Sequence, residues 1–398
     1  MHVGIISDPN NFHTIKWALS LEKQGAKVTV FSFEGKGDGR IRSVQVPPSL
    51  APYGKYRYLS YLSSGKRLQL ALEKEKVDVI NALNVTPFGV WARCSGFKPL
   101  VVSAMGADIF EFPPSGVSGA PLSSRSWANT EGGIGLKSFK SGILRPVYRD
   151  QVRRTLSSAR LITADNAELV GCIREWYGIA EEKLKLLRFG LDRNLFVAEP
   201  LIMDSLRKKF GMNESERIIL SPRGAKAVYQ ADVILEGFRL LLESGYQGHH
   251  LVMLSSGYEI SNAIREQAVT MENTFKNFHF VSFALPSADM YQLWMMTDFF
   301  VSAPVYDGYS AAISEGRYAG AIPIVNDIPG NREVVEDGKT GWIVSNFNAR
   351  NLFEAIQNAL TLGEGWKAAA KAINRKWMEE HSLTEGGAVR FLAWCRNI

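Results

Sequence analysis

At 398 residues the chain is long for one core, and a prior of about 100 to 200 residues per domain predicts two or three. A composition of 46% hydrophobic and 22% charged residues is that of an ordinary soluble globular protein. No apolar stretch reaches the roughly 20 residues of a membrane span and MHVGIISDPNN lacks the flanks of a signal peptide, so a cytoplasmic location is expected.

The net charge of +6 is unevenly spread: residues 1–200 hold 27 Lys and Arg against 18 Asp and Glu (+9), and residues 201–398 hold 19 against 22 (−3). A basic half fits nucleic acid, anionic lipid or a phosphorylated substrate, and charge alone does not choose among them. Cys94, Cys172 and Cys395 lie far apart without a C-x-x-C pair, which argues against a disulfide framework and a cysteine zinc site. Only His249 and His250 are adjacent, and neighbours on an extended strand point to opposite faces, so no metal is expected.

In chain order, the first half offers the apolar runs HVGIIS, KVTVFSF, VDVINAL, PLVVSAM and RLITAD, and the second RIILSPR, HLVMLSS, FHFVSF, DFFVSAP and AIPIVND. Continuous runs of this kind, separated by helix-period segments, predict strands buried on both faces of parallel sheets, hence two doubly wound α/β domains. Thr14 reads as the N-cap of the first crossover helix, which continues through Ile15, Ala18, Leu19 and Glu22 and ends at Gly25. Next, Tyr53, Tyr56, Tyr58 and Tyr61 alternate with Lys55, Arg57, Lys66 and Arg67; on a helix they form an aromatic, cationic face suited to an anionic membrane interface. The irregular stretch 113–142 is too long for an ordinary connection and reads as a mobile or substrate-shaping loop. In RPVYRDQVRR, Arg145, Arg149, Arg153 and Arg154 share one helix face, either solvated or a second membrane contact.

Gly190 and Pro200 bracket a polar segment that marks the domain boundary. The expected units are 1–190 and 195–372, followed by a C-terminal helical segment, 373–398, with Trp377 and Trp394 as core contacts.

The richest stretch is DGYSAAISEGRYAGAIP, residues 307–323. With DFFVSAP as a strand and SAAISEGRYAG as a helix, the turn between them lies at the carboxyl end of a parallel strand, where open α/β sheets bind ligands. Small residues from Gly308 to Ala312 admit a bulky group to the backbone, and the helix N-terminus suits a phosphate. Ionised carboxylates only accept hydrogen bonds, so Asp307 and Glu315 suit hydroxyls on either side of that phosphate; the same spacing also fits two solvated surface acids. Arg223 ends RIILSPR at the same sheet edge and Lys226 lies three residues on, a pair able to neutralise a diphosphate and stabilise it as a leaving group.

On these residues the chain resembles the retaining nucleotide-sugar glycosyltransferases of family 4. Asp307 and Glu315 take the two places of that family's E-x7-E motif, and GRYAGAIPIVNDIPGNREVVEDGKTGWIV is similar to the run of Gly, Pro, Gly-Asn-x-Glu and Gly-x-x-Gly after it. FGLDRNLF resembles the segment before the family's linker, MGADIF its glycine-serine-aspartate turn, and HTIKWALSLEKQGAKVTV the first crossover of a subgroup. The likeness is dense over residues 298–344 and weak over 35–95.

The resemblance implies the GT-B fold, two Rossmann-like domains facing a central cleft, with the acceptor on the N-terminal domain, the donor on the C-terminal domain and the last helix crossing back. It implies that Glu315 binds ribose hydroxyls, Asp307 the donor sugar, Arg223 with Lys226 the diphosphate, and the backbone of Gly308, Tyr309, Ser310 and Ala311 the phosphate oxygens. Three departures stand out. Asp307 replaces a glutamate; the family lysine aligns with Val228 or Tyr229; and Met105 replaces a histidine, leaving His13 or Asp108 to take its place, although Asp108 also reads as an N-cap.

The function implied is transfer of a sugar from a nucleoside-diphosphate sugar, UDP-linked ahead of GDP-linked, to a hydroxyl of a glycan or lipid-linked saccharide in cell-surface polysaccharide or glycoconjugate synthesis. No metal is expected, and the basic N-terminal domain implies a peripheral contact with the cytoplasmic membrane face. The alternatives are a nucleotide-sugar epimerase on the same fold and a catalytically weak glycan- or partner-binding subunit. Nucleic acid is not expected, since no recognised binding module appears.

Overall fold

Each of the ten apolar runs forms a parallel strand, and the strands sort into two sheets in two units. The structure is a computed structural model describing residues 1–34, 37, 39–50, 57–110, 144–224, 227–257 and 260–398.

The first unit runs to Asp192 and takes in Ser382–Ile398. Its sheet comprises β1 (His2–Ile6), β2 (Lys27–Ser32), β3 (Ser43–Gln45), β4 (Val79–Leu83), β5 (Leu100–Ala104), β6 (Leu161–Ala164) and β7 (Leu184–Leu186), in the order β3-β2-β1-β4-β5-β6-β7. All pairs are parallel, and β1 and β4–β6 are buried along their whole length, which is why they read as unbroken apolar runs.

The first crossover helix spans Phe12–Lys23, and its N-cap is Asn11, not Thr14. Asn11 Oδ1 accepts the His13 amide at 2.8 Å, so the helix starts a turn earlier than expected. Thr14 is buried, and its Oγ1 pairs with Ser7 Oγ at 2.8 Å. Beyond the C-cap Gln24, Gly25 takes the left-handed conformation (φ +80°) that the helix exit requires.

Trp17 of this helix donates from Nε1 to Asn81 Oδ1 at 3.1 Å and meets Phe189 and Phe391 edge-on. Phe391 belongs to the last helix, Thr384–Cys395, so the C-terminus is part of this unit's core, with Trp394 partly buried against it.

The second unit, Arg193–His381, holds β8 (Ile218–Ser221), β9 (His250–Leu254), β10 (Phe278–Val281), β11 (Thr297–Ser302), β12 (Ile322–Asn326) and β13 (Trp342–Val344). Their order is β10-β9-β8-β11-β12-β13, again all parallel. Side chains alternate across β11: Phe299 and Val301 join one apolar cluster, with Phe238 and Ile356, and Phe300 the other, with Trp294 and Ile313.

The boundary expected at residue 373 falls inside a helix. Helix Glu364–His381 stays with the second unit, because Asn374 Oδ1 accepts from buried Arg317 Nε at 2.8 Å and Trp377 stacks 4.6 Å from that guanidinium. The chain passes back to the first unit at Ser382.

Candidate functional site

In the second sheet the strand order reverses between β8 and β11, so their carboxyl ends flank a crevice of the kind in which open α/β sheets hold ligands. Arg223 lies just past β8 and Asp307 just past β11. Arg223 Nη1 donates to Asp307 Oδ2 at 2.8 Å and to Ser310 Oγ at 2.7 Å, and its guanidinium carbon sits 4.3 Å from the Tyr229 ring centroid. Burial opposes the charge on Arg223, but the Asp307 carboxylate and Tyr229 outweigh it and hold the guanidinium protonated.

Ser310 is the N-cap of helix Ala311–Ala319, its side chain accepting from the Ile313 amide. The arginine is thus anchored at a helix N-terminus, where the first amides lack intrahelical acceptors and the dipole favours an anion. Gly308 in the preceding turn is buried, and Tyr309 donates from its hydroxyl to Met378 Sδ at 3.3 Å, fixing one side of the turn.

Glu315, on the same helix, accepts from Trp294 Nε1 at 3.1 Å. It lines a cleft of about 220 Å³ together with Pro222, Leu254, Ser256, Phe283 and Trp294. Gly316 makes this arrangement possible: a Cβ there would lie 2.6 Å from Phe300 Cε1 and 2.8 Å from Trp294 Cζ3, so only glycine lets the helix lie close over Trp294. The arrangement joins an apolar slot, a carboxylate acceptor at its edge, and a cation on a helix N-terminus.

Of the other expected site residues, Lys226 lies outside the described residues, as does the stretch 113–142. Asp108 is buried, and its carboxylate accepts the amides of Val85 (2.6 Å) and Met105 (3.1 Å). Burial pushes its pKa up to about 6 against the pull of those amides, and the side chain clamps the segment after β4 to that after β5. It lies within the short helix Ala107–Phe110 and does not cap it. His13 is half-buried in the first turn of helix Phe12–Lys23, edge-on to Phe12.

The aromatic membrane face is corrected where the structure describes it. Tyr61 is only 2% exposed, stacked on Phe33 and against Trp91, and Tyr58 stacks on Tyr148. These rings fill the unit's own interior because aromatic area is worth most when taken out of water. Tyr53, Lys55 and Tyr56 lie outside the described residues. Arg153 and Arg154 are exposed and both pair with Asp150. Trp294 and Phe283, which line the cleft beside Glu315, were not anticipated as site residues, nor was the stacking of the Tyr229 ring on Arg223, because no local spacing links these pairs. Among the described residues no helix is long and apolar enough to cross a membrane.

Two Rossmann-like parallel-sheet units of this kind constitute the GT-B fold. A family model described as glycosyl transferase 4-like matches residues 2–129, and one described as glycosyl transferases group 1 matches residues 203–376, which includes Arg223, Asp307 and Glu315. The chain belongs to these glycosyltransferases, group 1 and family 4-like.

Among curated proteins it is 23% identical over 222 residues to a putative glycosyltransferase, YtcC, of Bacillus subtilis (strain 168), a match covering 53% of this chain and 54% of that protein. The chain thus spans about half the length of the curated relative it matches. Among solved structures, a glycosyltransferase from Rickettsia africae ESF-5 superposes with a TM-score of 0.73 at 15% identity, covering 100% of this chain and 98% of that one. WaaG, a glycosyltransferase involved in lipopolysaccharide biosynthesis, gives 0.70 at 18% identity over 98% of each chain. Anabaena HepE in complex with UDP-glucose gives 0.72 at 13% identity over 100% of each.

Proposed function

We propose that the protein is a retaining glycosyltransferase that moves a sugar from a nucleoside-diphosphate sugar to a hydroxyl of a glycan or lipid-linked saccharide in cell-surface polysaccharide or glycoconjugate synthesis. One observation carries this reading: Arg223, bridged to Asp307 and Ser310, stands at the N-terminus of the helix whose Glu315 borders an apolar cleft. In this reading the nucleoside occupies the cleft, Glu315 accepts from the ribose hydroxyls, and the diphosphate meets Arg223 and the first amides of the helix. The backbone of Gly308, Tyr309, Ser310 and Ala311 borders the phosphates, Asp307 turns to the donor sugar, and Lys226 is a second diphosphate ligand. UDP-sugars are the first donors to test and GDP-sugars the second, a ranking supported by the UDP-glucose complex of HepE.

The chemistry asked of the protein is charge stabilisation. As the bond between the anomeric carbon and the phosphate oxygen breaks, negative charge grows on the diphosphate, where Arg223 and the helix dipole are already oriented to meet it. The acceptor oxygen bonds to the anomeric carbon on the face the diphosphate leaves, and its proton passes to a phosphate oxygen. This scheme requires neither a protein base nor a metal. His13 or Asp108 takes the place of the family histidine that Met105 replaces, Asp108 through the loops that it holds.

The test is calorimetric titration of UDP, GDP and ADP, with their sugar conjugates, into the wild type and Glu315→Ala. Saturable binding of one diphosphate, lost in the variant, upholds the donor site; equal binding by the variant, or none by either protein, overturns it. Transfer to added saccharide acceptors then separates a transferase from a binding subunit, and release of an epimer without acceptor identifies an epimerase. The reading includes a peripheral membrane contact through the exposed Arg153 and Arg154 of helix Leu144–Ser158. Flotation with vesicles containing about 30% anionic lipid checks it, with loss expected for the double Ala variant.

A further inference from the structure

The loop that carries Arg223 and the loop that carries Asp307 are tied together by a short turn between them. After β8 the chain makes a single turn of 3-10 helix, Ala227–Tyr229, followed by Gln230 in the left-handed region (φ +50°). Val305 N donates to Val228 O at 2.8 Å, and Gln230 Nε2 donates to Ala303 O at 3.0 Å. Two hydrogen bonds therefore fix the turn to the segment 303–305 that leads into Asp307. Between those anchor points, Tyr229 presents its ring 4.3 Å from the guanidinium carbon of Arg223.

Such a platform matters because an arginine side chain has many rotamers, and an interaction with diphosphate must overcome the entropy of ordering it. A guanidinium seated on an aromatic ring gains cation–π attraction while keeping its N–H edge directed outward in the ring plane. Here that edge already points at Asp307 and Ser310, the N-cap of the helix that is to receive the anion. The strained Gln230 fits the same picture, since a non-glycine residue at positive φ persists where its surroundings require it.

We propose that Tyr229 is a positioning residue for diphosphate recognition, holding Arg223 in its binding orientation before the donor arrives. The proposal rests on the donor-site reading above and assigns Tyr229 no contact with substrate. It predicts a selective defect: the phosphate contribution to binding falls while the nucleoside contribution, made in the cleft around Glu315, is unchanged.

The experiment compares the wild type with Tyr229→Leu and Tyr229→Phe by calorimetry, using whichever of UDP, GDP or ADP binds, and the matching free nucleoside. Tyr229→Leu is expected to weaken the diphosphate by about tenfold and leave the nucleoside within about twofold, and Tyr229→Phe, which keeps the ring, to restore most of the loss. Tyr229→Leu indistinguishable from wild type for the diphosphate overturns the inference alone. So does an equal loss for diphosphate and nucleoside, which marks a general structural role, or a Tyr229→Phe as weak as Tyr229→Leu, which assigns the effect to the phenol hydroxyl beside Arg223 and not to the ring. A wild type that binds no nucleoside diphosphate overturns the donor-site reading together with this one.

Discussion

Trp294 Nε1 donates to Glu315 Oε2 at 3.1 Å, and the same indole is fully buried against the edge of Phe300. The core of the second unit thus reaches up and holds the carboxylate that borders the cleft. Trp294→Phe keeps most of the packing but removes the indole donor from Glu315. The expected result is a loss of about 1 to 2 kcal/mol of stability, from urea denaturation, and several-fold weaker nucleoside binding.

Replacing Arg223 by lysine keeps the charge and removes the planar fork. One ammonium cannot lie flat on Tyr229 while reaching both Asp307 and Ser310. Diphosphate affinity in the Arg223→Lys variant is expected to fall about tenfold or more by calorimetry, with thermal stability little changed.

Gly190 is held at φ +63°, and a Cβ there would lie 2.4 Å from the backbone oxygen of Ser382. The adjacent Leu191 and Leu383 form a parallel bridge that seats the last helix on the first unit. Gly190→Ala is expected to lose about 2 kcal/mol and to open the region around Ser382 to limited proteolysis, whereas Gly178→Ala, with open space around its Cβ position, keeps the region protected.

At the amino edge of the second sheet, His250 Nδ1 and His279 Nε2 lie 2.8 Å apart with their rings stacked. Glu216 stands 3.5 Å from the other His250 nitrogen, and the adjacent His249 bonds Tyr246 and Asp298. One ring must donate and the other accept, so protonating both breaks the bond. Burial, with His250 beside it, lowers the His279 pKa to about 4, and burial also lowers that of His250. His250 and His279 take up protons near pH 6.5 in the unfolded chain and only at lower pH in the folded one. Stability is therefore full above about pH 6.5 and falls as the pH drops towards 4, by on the order of 2 kcal/mol. Urea midpoints measured from about pH 7.5 down to 4.5 check this, with a flatter dependence expected for His279→Gln.

The sequence alone determined the strand inventory of both sheets wherever a strand is central and buried on both faces. Burial on two sides demands an unbroken apolar run, and such runs are legible locally. It also located the acid pair and the arginine at strand ends, because a strand-turn-helix pattern places the turn at the carboxyl edge. It did not show β3, β7 and β13, three-residue strands at sheet edges whose pairing comes from a single neighbour and leaves little mark on composition. Nor did it place the cap at Asn11, three residues before the expected Thr14, or show that helix Glu364–His381 stays with the second unit before the chain turns back.

What only the tertiary structure decided is which side chains meet. Arg223 and Asp307 are 84 residues apart in the chain. They come together because β8 and β11 are neighbours where the strand order reverses, and Tyr229 joins them only because its turn is bonded to residues 303–305. Strand periodicity is a property of a dozen consecutive residues, whereas adjacency across a sheet depends on the packing of the whole unit.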